Sequence, residues 1–285
     1  MPFALFFSAL TFIFTGWSLG HAGTFYFRPL QDLCTETWSI EPLTTVGSAM
    51  ICGRELPPGK IKELFLRAGL YHVLVVSGAH LVWLAELARR LFPRRPLWTA
   101  ALLLLFAGMT GFGAPLVRAG LQMILQSTRR RPWLANIVWS YLATLVFHPG
   151  WWNSVSLHLS ALAALALRLP LKRRHRGLAV IVMTLPIVLP FGSFTPLGAL
   201  TGLLLSPVVE LVLFPVCVIA WILPGLQSVA NFIVHAGLAF LESAQAHFAP
   251  PFQVAPLVPR PALIFYFFAL VTLIGAFAAR GRLAR

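Results

Sequence analysis

The chain has 285 residues, of which 58% are hydrophobic and only 11% are charged, and its formal net charge is +14. Soluble domains carry about 25% charged residues, so this composition excludes an ordinary globular protein with a polar surface. It predicts an all-α fold, a polytopic integral membrane helical bundle. The positive charge alone would also fit nucleic-acid binding, but it lies in short clusters between apolar runs, as in cytoplasmic loops. These clusters are residues 89–95, 129–131, 172–176 and 280–285.

The first predicted element is the uncharged segment 1–20, which is long enough to span a bilayer. A secretory signal peptide is the alternative. No basic residue precedes the apolar run, and the following "SLGHAG" is a weak cleavage site. We therefore favour a retained first transmembrane segment.

Residues 21–64 form the largest polar segment. It holds five of the eight acidic residues, namely Asp32, Glu36, Glu41, Glu55 and Glu63. If the basic clusters are cytoplasmic, this segment is extracytoplasmic. It also contains Cys34 and Cys52, and an oxidising compartment would permit a disulfide between them.

The remaining apolar runs make up a membrane domain at residues 65–279, which is followed by a basic cytoplasmic tail at 280–285. Because successive basic clusters lie on one side, an even number of crossings must separate them. Two spans hinged at "TGFGAP" satisfy this rule between the first and second clusters. Two spans separated by "HPGWWN" satisfy it between the second and third.

Four further runs follow the third cluster, at roughly 178–194, 197–223, 225–247 and 262–279. Pro207 and Pro215 predict a kink or break in the second of them. A run at residues 66–88 returns the chain to the first basic cluster. The total is about 8–10 transmembrane or re-entrant segments.

Polar side chains inside these runs are the candidates for function, since a charge at membrane depth costs roughly 2.5–3.5 kcal/mol. Ser77 and His80 are three residues apart and share a helix face, and Gly78 between them allows close backbone approach. Both a helix–helix contact and a functional lining fit this pattern. A Ser–His hydrolase is a weaker alternative, because the sequence shows no third orienting group.

Arg118 lies early in its run, with Gln122 one turn further on the same side. It would either snorkel to the surface or line a polar path. His158 fits either an interhelical hydrogen bond or a functional role. The other polar residues at this depth are Asn153, Ser156 and Ser160. Because the sequence has neither metal-ligand spacing nor a phosphate-binding glycine loop, we expect no metal, no cofactor and no ATP hydrolysis by a P-loop.

Two stretches carry a resemblance to the ComEC competence-protein family. "HVLVVSGAH" resembles a family run that reads roughly H-L-L-A-I-S-G-x-H, with Ser77, Gly78 and His80 in matching places. "TGFGAPLVRAGLQMIL" is similar to the family's Gly- and Pro-containing loop before R-A and a Met, with Arg118 at the arginine. "FHPGWWNSVSLHLSALAAL" and "TPLGALTGLLLSPVVELVLFP" are looser likenesses, and His158 stands where the family usually has Gln. The resemblance covers about residues 45–225.

The resemblance implies a multi-pass channel component of the cell (inner) membrane that passes single-stranded DNA across this membrane in natural transformation. Such a component is not itself an enzyme. Full-length members add an OB-like domain and a metallo-β-lactamase-like domain, and neither is visible in the sequence. Separate nuclease and cytoplasmic motor or DNA-binding proteins are therefore expected as partners, beside membrane lipids. The alternative is a polytopic permease or envelope-assembly factor for another solute. Whether the chain forms a homo-oligomer stays open.

Overall fold

The computed structural model describes residues 22–74, 78–93, 95–127, 132–188, 202, 204–246 and 262–283. The secondary structure of these residues is helical, and no β-strand occurs among them, which confirms the all-α prediction. The predicted first segment at 1–20 and Ser77 fall outside these ranges.

The polar segment folds into helices. They are α1 (Ala22–Glu36), α2 (Leu43–Ile51) and α3 (Lys60–Arg67). Cys34 in α1 and Cys52 at the end of α2 form a disulfide, with Cα atoms 5.7 Å apart. The side-chain amide of Gln31 donates a 2.7 Å hydrogen bond to the carbonyl oxygen of Cys52, and Arg54 forms an ion pair with Asp32. These contacts fasten the end of α2 to α1.

The next helices are α4 (Tyr71–Leu74), α5 (Gly78–Leu91), α6 (Pro96–Met109) and α7 (Ala114–Ser127). The run predicted at 66–88 is not one helix. α3 ends at Arg67, and a turn follows in which Gly69 has a φ of +67°, a value that favours glycine. The predicted hinge at "TGFGAP" is a turn, with Gly111 also at +67°, and it joins α6 to α7 as expected.

A helical hairpin follows, made of α8 (Trp133–Phe147) and α9 (Val155–Leu167) around a 3₁₀ turn at Pro149–Asn153. This matches the turn predicted at "HPGWWN". Ser154 caps α9, because its hydroxyl accepts a hydrogen bond from the Leu157 amide. α10 (Arg173–Val188) packs against α9.

The last helices are α11 (Leu204–Ile222), α12 (Gln227–Ala246) and α13 (Leu263–Leu283). Between Pro207 and Pro215, α11 contains a π-helical turn at Val209–Leu213. The irregularity that the prolines predict is therefore a local change of hydrogen bonding within a helix that continues past both of them.

The buried apolar side chains form two cores. The first joins α1–α7 with α11 and α12. The second joins α8, α9, α10 and α13, together with Ala114 at the start of α7. Because α7 contacts α5 on one side and α8 and α9 on the other, it lies between the two cores.

Two of the described helices are long and apolar enough to cross a membrane, Leu204–Ile222 and Pro224–Ala244. Five other apolar helices have 10–17 residues, fewer than the roughly 20 that a full crossing takes. The number of transmembrane or re-entrant segments therefore stays a prediction.

Candidate functional site

Gly78 marks the point where three helices meet. It is the first residue of α5 and is buried. A Cβ atom at this position would lie 2.9 Å from the Ala119 Cβ in α7 and 3.4 Å from the Ser160 Oγ in α9. A separation of 2.9 Å between carbon atoms is below van der Waals contact, so the close approach of α5 to α7 requires glycine.

Arg118 lies beside this contact, on α7. Its side chain is buried, with 4% exposed. The Nε atom donates a hydrogen bond of 3.1 Å to the Ser160 Oγ, and Nη1 donates one of 2.5 Å to the Gln122 Oε1. We call Arg118, Gln122 and Ser160 the Arg118 cluster. Its charge lies within the bundle, whereas a snorkelling arginine would place the charge at the surface.

The Arg118 cluster contains a cation and two neutral acceptors. All eight acidic side chains of the chain belong to the described residues. Four of them pair with other basic residues, and none of the eight forms an ion pair with Arg118: the pairs are Asp32–Arg54, Glu242–Lys60, Glu63–Arg67 and Glu86 with Arg89 and Arg90. Removing a charge from water without an opposite charge nearby is costly, which makes this arrangement unusual for a purely structural contact.

His158 lies in the same helix as Ser160 but serves a different contact. Its Nε2 is 2.8 Å from the Trp152 carbonyl oxygen, and its Nδ1 is 3.1 Å from the Tyr141 hydroxyl. Positions two apart on a helix point about 200° apart, so His158 faces α8 while Ser160 faces Arg118. His158 thus connects the hairpin, and it is not part of the Arg118 cluster.

His80 also points away from the cluster. It is buried, and its ring stacks on Phe214 of α11, with centroids 4.1 Å apart and planes 8° apart. Trp83 and Phe106 pack edge-on against the same Phe214 ring. The shared face predicted for Ser77 and His80 cannot be compared with geometry, since Ser77 lies outside the described residues. His80 contacts α11, whereas Gly78 contacts α7 and α9.

The remaining polar candidates are more exposed. Asn153 and Ser156 lie at the surface, and Ser156 is hydrogen-bonded to Ser154 at 3.0 Å. Across the described ranges, no group of three or more His, Cys, Asp or Glu side chains is placed to hold a metal ion. Cys217 is buried and is not in a disulfide.

Sequence reasoning missed two polar side chains that form hydrogen bonds between separate parts of the chain. Tyr141 is the partner of His158, and it reads as one more aromatic residue in an apolar helix. Gln227 at the start of α12 is buried and binds the polar segment: its amide nitrogen donates to the Thr37 carbonyl at 2.7 Å, and its oxygen accepts from the Ser39 hydroxyl at 3.0 Å. A local signal for either contact is lacking, because the partners come from other helices.

Comparison with known proteins supplies the family. The family described as "Competence protein" matches residues 53–282. An uncharacterised protein of Aquifex aeolicus (strain VF5) is 31% identical over an alignment of 200 residues, and the alignment covers 63% of this chain and 48% of that relative. The chain therefore matches about half the length of this relative. No solved structure matches. The family match covers Gly78, Arg118 and Ser160, and with it the chain belongs to the competence protein family, that of the ComEC membrane domain.

Proposed function

We propose that this chain is a multi-pass protein of the inner membrane and forms part of a channel for single-stranded DNA uptake in natural transformation. The observation that carries the proposal is the Arg118 cluster. A buried cation without a carboxylate partner lies where α5, α7 and α9 meet, in a chain of the competence family. Polar and charged groups inside an apolar bundle usually belong to a pathway.

A bilayer would account for the apolar side chains on the outside of the bundle. Nine large hydrophobic residues on the outer faces of α11 and α12 are at least 48% exposed. They are Leu204, Val208, Leu211, Val212, Ile219, Ile222, Val229, Phe232 and Phe240. Water would disfavour an apolar surface of this extent, and lipid chains would cover it. This pattern supports placing α11 and α12 against lipid.

In this proposal the chain has a transport role and is not an enzyme. Separate proteins would supply nuclease activity and the force that pulls the strand on the cytoplasmic side. The basic clusters at residues 89–95 and 172–176 are then cytoplasmic, and they suit a strand leaving the channel because phosphates bind to Lys and Arg.

Deletion of the gene in its source organism tests the proposal. Uptake of labelled DNA into the cytoplasm should be lost in the deletion strain and restored by the wild-type chain. Unchanged transformation in the deletion strain would overturn the channel function and favour a permease or envelope-assembly factor for another solute. A Ser77→Ala chain should also restore uptake, because the proposed channel does not use Ser77 as a nucleophile. A hydrolase that did so would lose all activity in this variant.

A further inference from the structure

We infer that the Arg118 cluster binds the phosphodiester backbone of the transported strand. This inference rests on the proposed function, because it names the ligand of the same site. It assigns Arg118 as the residue that contacts a phosphate and gives Gln122 and Ser160 the role of positioning the guanidinium.

The first support is the unbalanced charge. All eight acids lie in the described part of the chain, and none pairs with Arg118. A buried guanidinium without an opposite charge destabilises the free protein. An anion that reaches the cluster would recover part of this energy. The cluster therefore favours anionic ligands over neutral ones.

The second support is the pattern of donors. A guanidinium has five N–H groups in a planar fork. One bond to Ser160 and one to Gln122 use Nε and Nη1, and no acceptor among the described residues takes the Nη2 hydrogens. Both acceptors are uncharged, so they hold the fork in place without cancelling its charge. The open edge of Nη1 and Nη2 suits the two non-bridging oxygens of a phosphodiester.

The third support is the location. α7 lies between the two hydrophobic cores, and the cluster joins α7 to α9 beside the Gly78 contact. A lipid headgroup or free phosphate has the same oxyanion chemistry. Headgroups, however, lie at the edge of a bundle, whereas Arg118 is 4% exposed and lies at an internal junction. A strand that passes between the helices is the phosphate source that fits this position.

The test measures binding of a fluorescently labelled oligothymidylate to the purified full chain in a detergent with an uncharged headgroup, over a series of salt concentrations. Arg118→Gln should weaken binding by about tenfold or more, since it removes one partner of a desolvated charge pair. It should also reduce the slope of log K against log salt by about 0.7, the value for one lost phosphate contact on a single strand. The matched control is Arg67→Gln, which removes the same charge from an exposed pair with Glu63 and should leave affinity and slope nearly unchanged.

A second variant distinguishes a phosphate-binding role of Arg118 from a purely structural contact between helices. Gln122→Glu places a carboxylate where Nη1 already donates its bond. If Arg118 serves only the contact of α7 with Ser160 of α9, this variant should neutralise the buried charge, keep that contact and leave oligonucleotide binding as in the wild type. That result would overturn the inference. A phosphate site instead loses affinity about as strongly as in Arg118→Gln, while the free protein unfolds at a higher temperature. Because Gln122→Glu supplies a counter-ion, it also serves if Arg118→Gln does not fold.

Three further ligands identify the phosphate source. An oligothymidylate with an uncharged methylphosphonate backbone should bind weakly. Inorganic phosphate and phosphatidylglycerol vesicles should not displace the labelled strand at comparable phosphate concentration. Displacement by either one with equal strength would overturn the assignment to a strand.

Complementation of the deletion strain distinguishes a failure of this inference from a failure of the proposed function. If the deletion strain loses DNA uptake and the Gln122→Glu chain restores it fully, the phosphate site is wrong and the channel function stands. If the deletion strain keeps its uptake, the channel function is wrong, whatever the purified chain binds.

Discussion

The hydroxyl of Tyr141 lies 3.1 Å from the Nδ1 of His158, and both side chains are completely buried. The Nε2 of His158 lies 2.8 Å from the Trp152 carbonyl oxygen, which can only accept. In the neutral imidazole, Nε2 therefore carries the hydrogen, and the Tyr141 hydroxyl donates to Nδ1. These two hydrogen bonds connect α8 to α9 and to the 3₁₀ turn at Pro149–Asn153. It fixes the helix that presents Ser160 to Arg118.

Replacement of Tyr141 by Phe should destabilise the protein while leaving its overall shape intact. The change removes the donor for a buried imidazole nitrogen, and an unpaired buried polar group costs about 1–3 kcal/mol. Thermal unfolding of the purified chain, followed by tryptophan fluorescence, should show a lower midpoint. Tyr266→Phe is the matched control, since the Tyr266 hydroxyl donates at 3.1 Å to the Met183 carbonyl in a half-buried position. Equal losses in the two variants would contradict a special role for the buried pair.

Replacement of Gln227 by Leu should loosen the polar segment from α12. The change leaves the Thr37 carbonyl and the Ser39 amide and hydroxyl without their partner. Hydrogen exchange measured by mass spectrometry should become faster at residues 37–43, with little change in the hairpin of α8 and α9. Ser228→Ala, at the exposed neighbouring position, serves as the control. If exchange in the segment stays at the wild-type rate in Gln227→Leu, the anchoring role is wrong.

The parts of the fold that sequence could predict are those set by short-range patterns. The turn between α6 and α7 was predictable because the run between two basic clusters is too long for one span, which requires a hinge near "TGFGAP". Gly111 in this turn takes a φ of +67°, and the next residue, Phe112, takes +52°. The contact of Arg118 with Gln122 follows from a spacing of four on a helix, and it is present. The break after Arg67 was missed, because the apolar run around Gly69 reads as continuous when only hydropathy is counted.

The parts that sequence could not predict depend on how helices pack. Ser160 reaches Arg118 across 42 positions, and Gln227 reaches Ser39 across 188. No periodicity within one helix shows such a partner. For the same reason the sequence leaves open which neighbour His80 meets, and the structure places it against Phe214. The contacts of Gly78 likewise became clear only with α7 and α9 in place.

The purified, unreduced protein should contain a peptide pair linked through Cys34 and Cys52, with Cys217 as a free thiol. In the structure these two cysteines are paired and Cys217 is buried. Mass spectrometry after digestion without a reductant checks the prediction. Free thiols at both Cys34 and Cys52 would contradict it. A Cys34→Ser and Cys52→Ser double variant should lose about 3 kcal/mol of stability, the value that loop-closure entropy gives for a loop of similar length.

Replacement of Gly78 by Ala should push α5 away from α7 beside the Arg118 cluster. The new Cβ would lie 2.9 Å from the Ala119 Cβ and 3.3 Å from the Pro115 carbonyl oxygen. A side-chain carbon fixed to a helix backbone cannot move aside alone, so overpacking of about 1–3 kcal/mol should exceed the roughly 0.5–1 kcal/mol gained from alanine's higher helix propensity. The measurement is again the midpoint of thermal unfolding.

Gly237→Ala in α12 is the matched control for this change. An added Cβ there meets no atom within 4 Å, so only the propensity gain of about 0.5–1 kcal/mol remains and the midpoint should rise. Adding Ala119→Gly to the Gly78→Ala chain removes the closest contact and should restore part of the lost stability. A rise in midpoint for Gly78→Ala like that for Gly237→Ala would show that α5 and α7 do not meet as closely as 2.9 Å implies. It would also remove the geometric reason for a glycine in the middle of "VVSGAH".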